Sequence, residues 1–259
     1  TFMPEKNPVQ SAERIFEILE TLVKNGAMGL TELSAGLGLN KSTVHRLLNS
    51  LAVMGYVRQD PATGKYLSTF KIVELAGRLL GRIDILSVAH RHLEELMKQT
   101  HETVHFVQRE GCNIVYIDKV ESEANSIRMV SHIGLLQPMF CTAVGKAILA
   151  ELPDEEIRSV WEHSGVHKLT PNTIVDFDGL MREIGKIRRD GYALDNEENE
   201  VGVRCIAASV LNFSGKTDNA FSISAPLSRM SDGRVRELSD HVLATKRAIS
   251  RELGYRGAL

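Results

Sequence analysis

Hydrophobic positions along the chain change period several times, and each change marks an element. Ala12, Ile15, Ile18, Leu19, Leu22 and Val23 predict a first helix over residues 11–24 that buries this set and ends at Asn25 and Gly26. Thr31, a hydroxyl N-cap with Glu32 behind it, predicts a short helix to about Leu37, and Gly36 and Gly38 then supply a tight turn. Val44, Leu47, Leu48 and Leu51 recur at i, i+3, i+4 and i+7, so another helix starts near Asn40 or Ser42, buries that stripe and ends at Gly55. Residues 56–58 and 65–67 read as strands around the turn formed by Asp60, Pro61, Ala62, Thr63 and Gly64.

Farther on, Ile72, Leu75, Leu79 and Ile83 form one stripe of a helix over residues 70–83, either a linker or one more core helix. Asp84 caps a new helix over residues 85–99. From Thr100 the period shortens, and residues 103–107, 114–120 and 126–130 predict strands. Residues 137–150 read as a loop entering a helix, and residues 153–163 and 177–189 as helices, the last stopped by Gly191. Residues 205–211 and 220–225 are strands, and residues 231–253 a long C-terminal helix. Grouped strands with inserted helices imply an α+β fold. The segments are an N-terminal domain (1–70), a linker helix (71–84) and a C-terminal domain (85–259).

The face opposite the buried stripe of the third helix carries Lys41, Ser42, Thr43, His45, Arg46 and Asn49, donors and cations without a carboxylate. Helix, turn and a second helix of this kind make a helix-turn-helix, whose second helix enters the DNA major groove. The hairpin after it is a wing able to lay Arg58 and Lys65 along phosphates. Between Gly38 and Tyr66 four cations face the single acid Asp60, a local +3 in a chain that sums to −2. That concentration of charge, not the overall balance, points to nucleic acid.

Two stretches farther along offer small-molecule chemistry. A helix beginning near Cys141 or Thr142 leaves the N–H groups of Ala143, Val144 and Gly145 free to meet an anion, unless Gly145 and Ala147 serve tight helix–sheet packing instead. Strand alternation sends Ser222 and Ser224 to one face and Phe221 and Ile223 to the other, so the serines face either solvent or a polar partner. Cys141 or Cys205 with His105 or His132 offers a nucleophile and base, but no spacing brings them into reach, and no CxxC pair offers a metal site. Asp195, Glu197, Glu198 and Glu200 read as a solvated loop, Asp195 excepted.

At 259 residues, with 43% hydrophobic and 25% charged residues, the composition is that of an ordinary globular protein. No apolar run approaches the ~18 residues of a membrane span. Three isolated cysteines, Cys112, Cys141 and Cys205, imply reduced thiols and a cytoplasmic setting.

The run NKSTVHRLLNSLAVMGYV, followed by the turn and KY, resembles the winged helix-turn-helix of the IclR family of bacterial transcription regulators. Gly191, Asp195, Glu198, Cys205, Ile206, Ala207, Val210 and Asn212 resemble that family's effector-domain signature, departing at Leu211, where an aromatic is usual. The resemblance implies a GAF-like antiparallel-sheet sensor domain, a homodimer or dimer of dimers on double-stranded operator DNA, and no enzymatic activity or cofactor. It further implies control, more often repression, of a catabolic operon by a small organic acid such as a sugar acid. On the matching positions the effector is lined by Met129, Ala143, Val144, Asp195, Cys205, Ser222 and Ser224, with Arg128 and Arg204 beside them. The alternative is a metabolic enzyme, or a metal-dependent sensor like the zinc-binding members of the family, carrying a winged helix.

Overall fold

The computed structural model describes residues 8–80, 84–122 and 130–258, and the chain divides into two compact units, Thr1–Ile83 and Asp84–Leu259. In the first, α1 (Gln10–Asn25), α2 (Leu30–Leu37) and α3 (Lys41–Val53) are followed by the hairpin of β1 (Val57–Gln59) and β2 (Tyr66–Ser68), then by α4 (Lys71–Leu80). Ile18, Leu22, Leu33, the α3 stripe Val44, Leu47, Leu48 and Leu51, and Val57 and Tyr66 of the hairpin form its core. The apolar stripe of α1 is narrower than its sequence suggests. Val23 is exposed, because it lies a hundred degrees around the helix from Leu22.

The start of α2 also differs from expectation. Its N-cap is Gly29 rather than Thr31, and the Glu32 carboxylate accepts from the Gly29 N–H at 2.7 Å. The acid at the third helical position thus anchors the helix start from within, and Thr31 lies inside the first turn. Gly36 stays helical, while Gly38 at φ 63° ends the helix in the left-handed region. Lys71 ties α4 to the end of α3, donating to the Met54 carbonyl at 2.6 Å and standing 4.5 Å over the Tyr56 ring. On α4, Ile72 is half-buried and Val73 and Leu75 are exposed. The Leu79 side chain and Ile83, which complete the predicted stripe, lie outside the described residues.

The second unit is built on a six-stranded antiparallel sheet of order β5–β4–β3–β8–β7–β6. Its strands are β3 (Thr103–Glu110), β4 (Asn113–Val120), β5 (Leu136–Pro138), β6 (Ala193–Asn196), β7 (Val203–Val210) and β8 (Asn219–Pro226). One face packs against α5 (Ile85–Thr100) and α9 (Asp232–Glu252), where Leu93 and Leu96 meet Phe106, Phe221, Ile223, Leu238 and Val242. The other face carries α6 (Ala143–Ala150), α7 (Asp154–His163) and α8 (Phe177–Asp190), packed on Val107, Ile114, Ala207 and Ala220. Two strands go beyond the sequence reading. β5 has three residues, too few for a visible alternation, and β6 alternates Ala193 and Asp195 inward, a pattern disguised by the carboxylate. The predicted strand at residues 126–130 falls largely outside the described residues; Val130 is exposed and in no regular element.

Candidate functional site

Two sites emerge, one in each unit. On α3 the buried stripe turns Lys41, Ser42, His45, Arg46 and Asn49 outward, with Thr43 half-buried at the edge. Asn49 and His45, one turn apart, approach to 3.5 Å. The wing is held by Asp60, whose Oδ1 accepts from the N–H groups of Ala62 at 2.8 Å and Thr63 at 3.3 Å. Arg58 is exposed on β1. Lys65 stands 3.8 Å from Glu32 of α2, both side chains about half exposed, a pair too weak and too wet to lock the lysine in place.

The second unit holds a cavity of about 500 Å³, within the range of small-molecule sites. Its floor is a row of the sheet. Asp195 on β6 pairs in register with Cys205 on β7, which pairs with Ser224 on β8; in the next row Ser222 stands opposite His105 of β3. The period of two therefore lines up polar side chains from strands far apart in the chain. The Ser222 and Ser224 hydroxyls lie 3.4 Å apart. The two ring nitrogens of His105 reach Ser224 Oγ at 3.2 Å and Ser131 Oγ at 2.6 Å. Burial, with Lys119 nearby adding to it, pushes the His105 pKa down to about 3, so the ring is neutral.

The N-terminus of α6 closes the cavity from above. Its N-cap Thr142 donates to the Pro138 carbonyl at 2.9 Å and accepts from the Gly145 N–H at 3.2 Å. Gly145 is therefore not one of the free donors. Ala143 and Val144 both line the cavity, and their N–H groups have no partner among the described residues. Gly145 has a different reason to be glycine. A Cβ there would collide with the Met139 backbone and the Thr142 hydroxyl, so the tight cap needs its absence.

Behind Asp195 the acidic run is solvated only in part: Glu200 is exposed and Glu197 half-buried, but Glu198 is buried. Asp195 Oδ1 accepts from the N–H groups of Glu198 at 2.7 Å and Asn199 at 3.3 Å, and Glu198 is itself buried in an ion pair with Lys146 of α6. Thr170 and Thr173 fasten the same loop by donating to the carbonyls of Glu197 and Glu198 at 2.6 and 2.7 Å. Burial raises the Asp195 pKa to about 7 against the pull of Lys146, and it raises Glu198 as well.

Of the lining expected from sequence, Ala143, Val144, Asp195, Cys205, Ser222 and Ser224 meet at this cavity. Met129 and Arg128 lie outside the described residues. Arg204 is turned away, its guanidinium bound to the Met230 carbonyl at 2.9 Å and Asp232 at 2.8 Å. Tyr116, Gln137, Thr142 and Asn199 also line the cavity and were not anticipated, although the alternation of β4 carries Tyr116 to the same face as Ile114. Burial pushes the Cys141 thiol up to about 12 and Cys205 higher still, so neither is a ready nucleophile. Among the described residues no group of three or more His, Cys, Asp or Glu is placed to hold a metal.

Residues 11–61 match the domain family described as the IclR helix-turn-helix domain, and residues 77–251 the one described as bacterial transcriptional regulator IclR C-terminal. The chain belongs to the IclR family. It is a DNA-binding transcription regulator, and its relatives are regulators rather than enzymes. It is 36% identical over 253 residues to the HTH-type transcriptional regulator KdgR of Escherichia coli, covering 97% of this chain and 96% of that protein. XynR of the same organism is 37% identical, over 95% and 98% of the two chains. Among solved structures, Thermotoga maritima IclR has a TM-score of 0.64 at 36% identity, over 95% of this chain and 99% of that one. The Agobacterium tumefaciens repressor BlcR reaches 0.74 at 27% identity, over 97% and 100%.

Proposed function

We propose that this family member is a repressor of a catabolic operon whose hold on its operator is changed by a small hydroxylated organic acid bound in the cavity. One observation carries the reading. Ala143 and Val144, whose helix N–H groups have no partner among the described residues, line the same cavity as Ser222 and Ser224. N–H groups at a helix end favour a carboxylate. The amide groups of Gln137 and Asn199 exceed what a bare carboxylate needs and suit the hydroxyls of a sugar acid. The 32%-identical Salmonella typhimurium relative is named as an acetate operon repressor.

In this reading Arg46 reads bases while Arg58 and Lys65 touch phosphates, and a homodimer forms over the exposed apolar positions of α4. A two-fold protein is what a palindromic operator requires, since one recognition helix reads few base pairs. The test is a thermal-shift screen of hydroxy, keto and sugar acids, followed by a gel shift of the protein's own promoter fragment with and without each hit. An acid that stabilises the protein and changes the shift supports the reading. Stabilisation without any effect on DNA binding would detach the cavity from regulation.

A further inference from the structure

Asp195 at the cavity floor and Glu198 behind it share one buried cation. Asp195 and Glu198 are 4% and 6% exposed, and the cation beside them among the described residues is Lys146, at 0%. The Lys146 ammonium is committed to Glu198 Oε1, while Glu198 Oε2 is buried without a hydrogen-bond partner. Asp195 Oδ1 is taken up by two backbone N–H groups, which leaves the other carboxyl oxygen for the cavity that Asp195 lines. Among the described residues, Lys119 of β4 lies toward the His105 side of the cavity, its ammonium held by the Ser131 carbonyl and by Glu121, and His132 stands at the cavity wall. Tyr116 from β4, Cys141 before α6 and Cys205 from β7 are weak acids that burial keeps protonated, His105 from β3 is neutral, and Glu200 from the loop is acidic.

A ligand carboxylate drawn in by the α6 N-terminus would put three carboxylates around one ammonium. Groups that crowded do not all ionise, because each charge in a water-poor site raises the cost of the next. Building on the proposed role of the cavity as an acid site, we infer that it takes its acid together with one proton, which settles on Asp195 and turns that carboxyl into a hydrogen-bond donor toward the ligand. The neutral acid removes the repulsion that an ionised Asp195 would offer, and the anion in turn holds the proton in place. Asp195 already titrates near neutrality, so the proton is available at small cost. Above pH 7 the affinity for an acid should then fall about tenfold per pH unit, and below it should level off.

Isothermal titration of the full chain with D-gluconate, pyruvate and glycolate, at pH 8 in phosphate and in Tris, tests this. For an acid that binds, the heats should differ between buffers by the ionisation enthalpy of about one proton, taken up. The affinity should drop about tenfold from pH 8 to pH 9. Asp195→Asn keeps a donor but cannot take a proton, so its affinity should no longer vary with pH or buffer. Binding by the unaltered chain with no proton uptake would overturn the inference and leave the cavity an acid site. Uptake that persists in Asp195→Asn would place the proton elsewhere and also overturn it. If none of the three acids binds, the acid-site reading falls, and this inference with it. The buffer and pH arms stand on the unaltered chain even where the variant does not fold.

Discussion

The proposed DNA-reading surface and the proposed ligand cavity are built on opposite plans. The first is contiguous in sequence: the exposed residues from Lys41 to Asn49 sit on one helix, and a single buried stripe directly behind them aims them all. The cavity gathers Asp195, Cys205, Ser224 and His105 from four strands, and the polar groups in and behind it are interlocked, His105 with two serines at the wall and Lys146 with Glu198 behind it. Exposed polar groups already have water, so changing one alters recognition and little else. Buried polar groups must satisfy one another, so removing one leaves its partner stranded. A surface site should therefore separate from stability under mutation. A cavity site should not, except where its groups await a ligand.

The largest effect should come from breaking the cavity's interlock. Lys146→Met strands Glu198 and should destabilise the second unit by about 3–5 kcal/mol, read as a shifted transition in urea. Adding Glu198→Gln should restore most of it; no recovery would mean that the lysine stem, not its charge, is what matters. Next is Leu75→Glu on α4, at an exposed position that the monomer can tolerate. It should leave folding intact, halve the sedimenting mass and weaken operator binding by roughly 10²–10⁴ through lost bivalency. Full mass with full affinity would move the dimer contact elsewhere. On the reading surface, Arg46→Ala should flatten the preference for operator over mismatched DNA by about 1–3 kcal/mol, with unfolding unchanged. The smallest effect is that of Lys65→Ala, which should weaken all DNA alike and lower the salt slope by about one. If Arg46→Ala and Lys65→Ala behave alike, the division into base reader and phosphate clamp is wrong.

The same contrast explains what could be read from sequence. The α3 stripe, the wing and the Asp84 cap follow from neighbours three or four residues apart, and periodicity sees those. So does the alternation that pairs Ser222 with Ser224. Burial of Glu198 does not follow, because its partner Lys146 lies 52 residues away and a run of acids looks solvated until that partner is known. β6 is hidden for a different reason: Asp195 breaks the apolar alternation at the point where it faces the cavity. The α2 cap is not legible either, because Thr31 is a good N-cap by type, while Glu32 serves Gly29 from inside the helix. Polar residues at the second site were thus hidden by the property that suits them to a ligand, burial with an oxygen or nitrogen left over.

The central claim is that the leftover hydroxyls and N–H groups of the cavity serve a ligand whose binding is felt at the DNA. Operator affinity of the Ser222→Ala, Ser224→Ala double variant, titrated with an acid that acts on the unaltered protein, tests it most directly. The serines contact each other and His105 but hold no buried charge, so the variant should fold and bind the operator within about threefold of the unaltered chain when no acid is present. Adding the acid should then change nothing. A response of unaltered size and midpoint in the double variant would put the effector in some other part of the molecule.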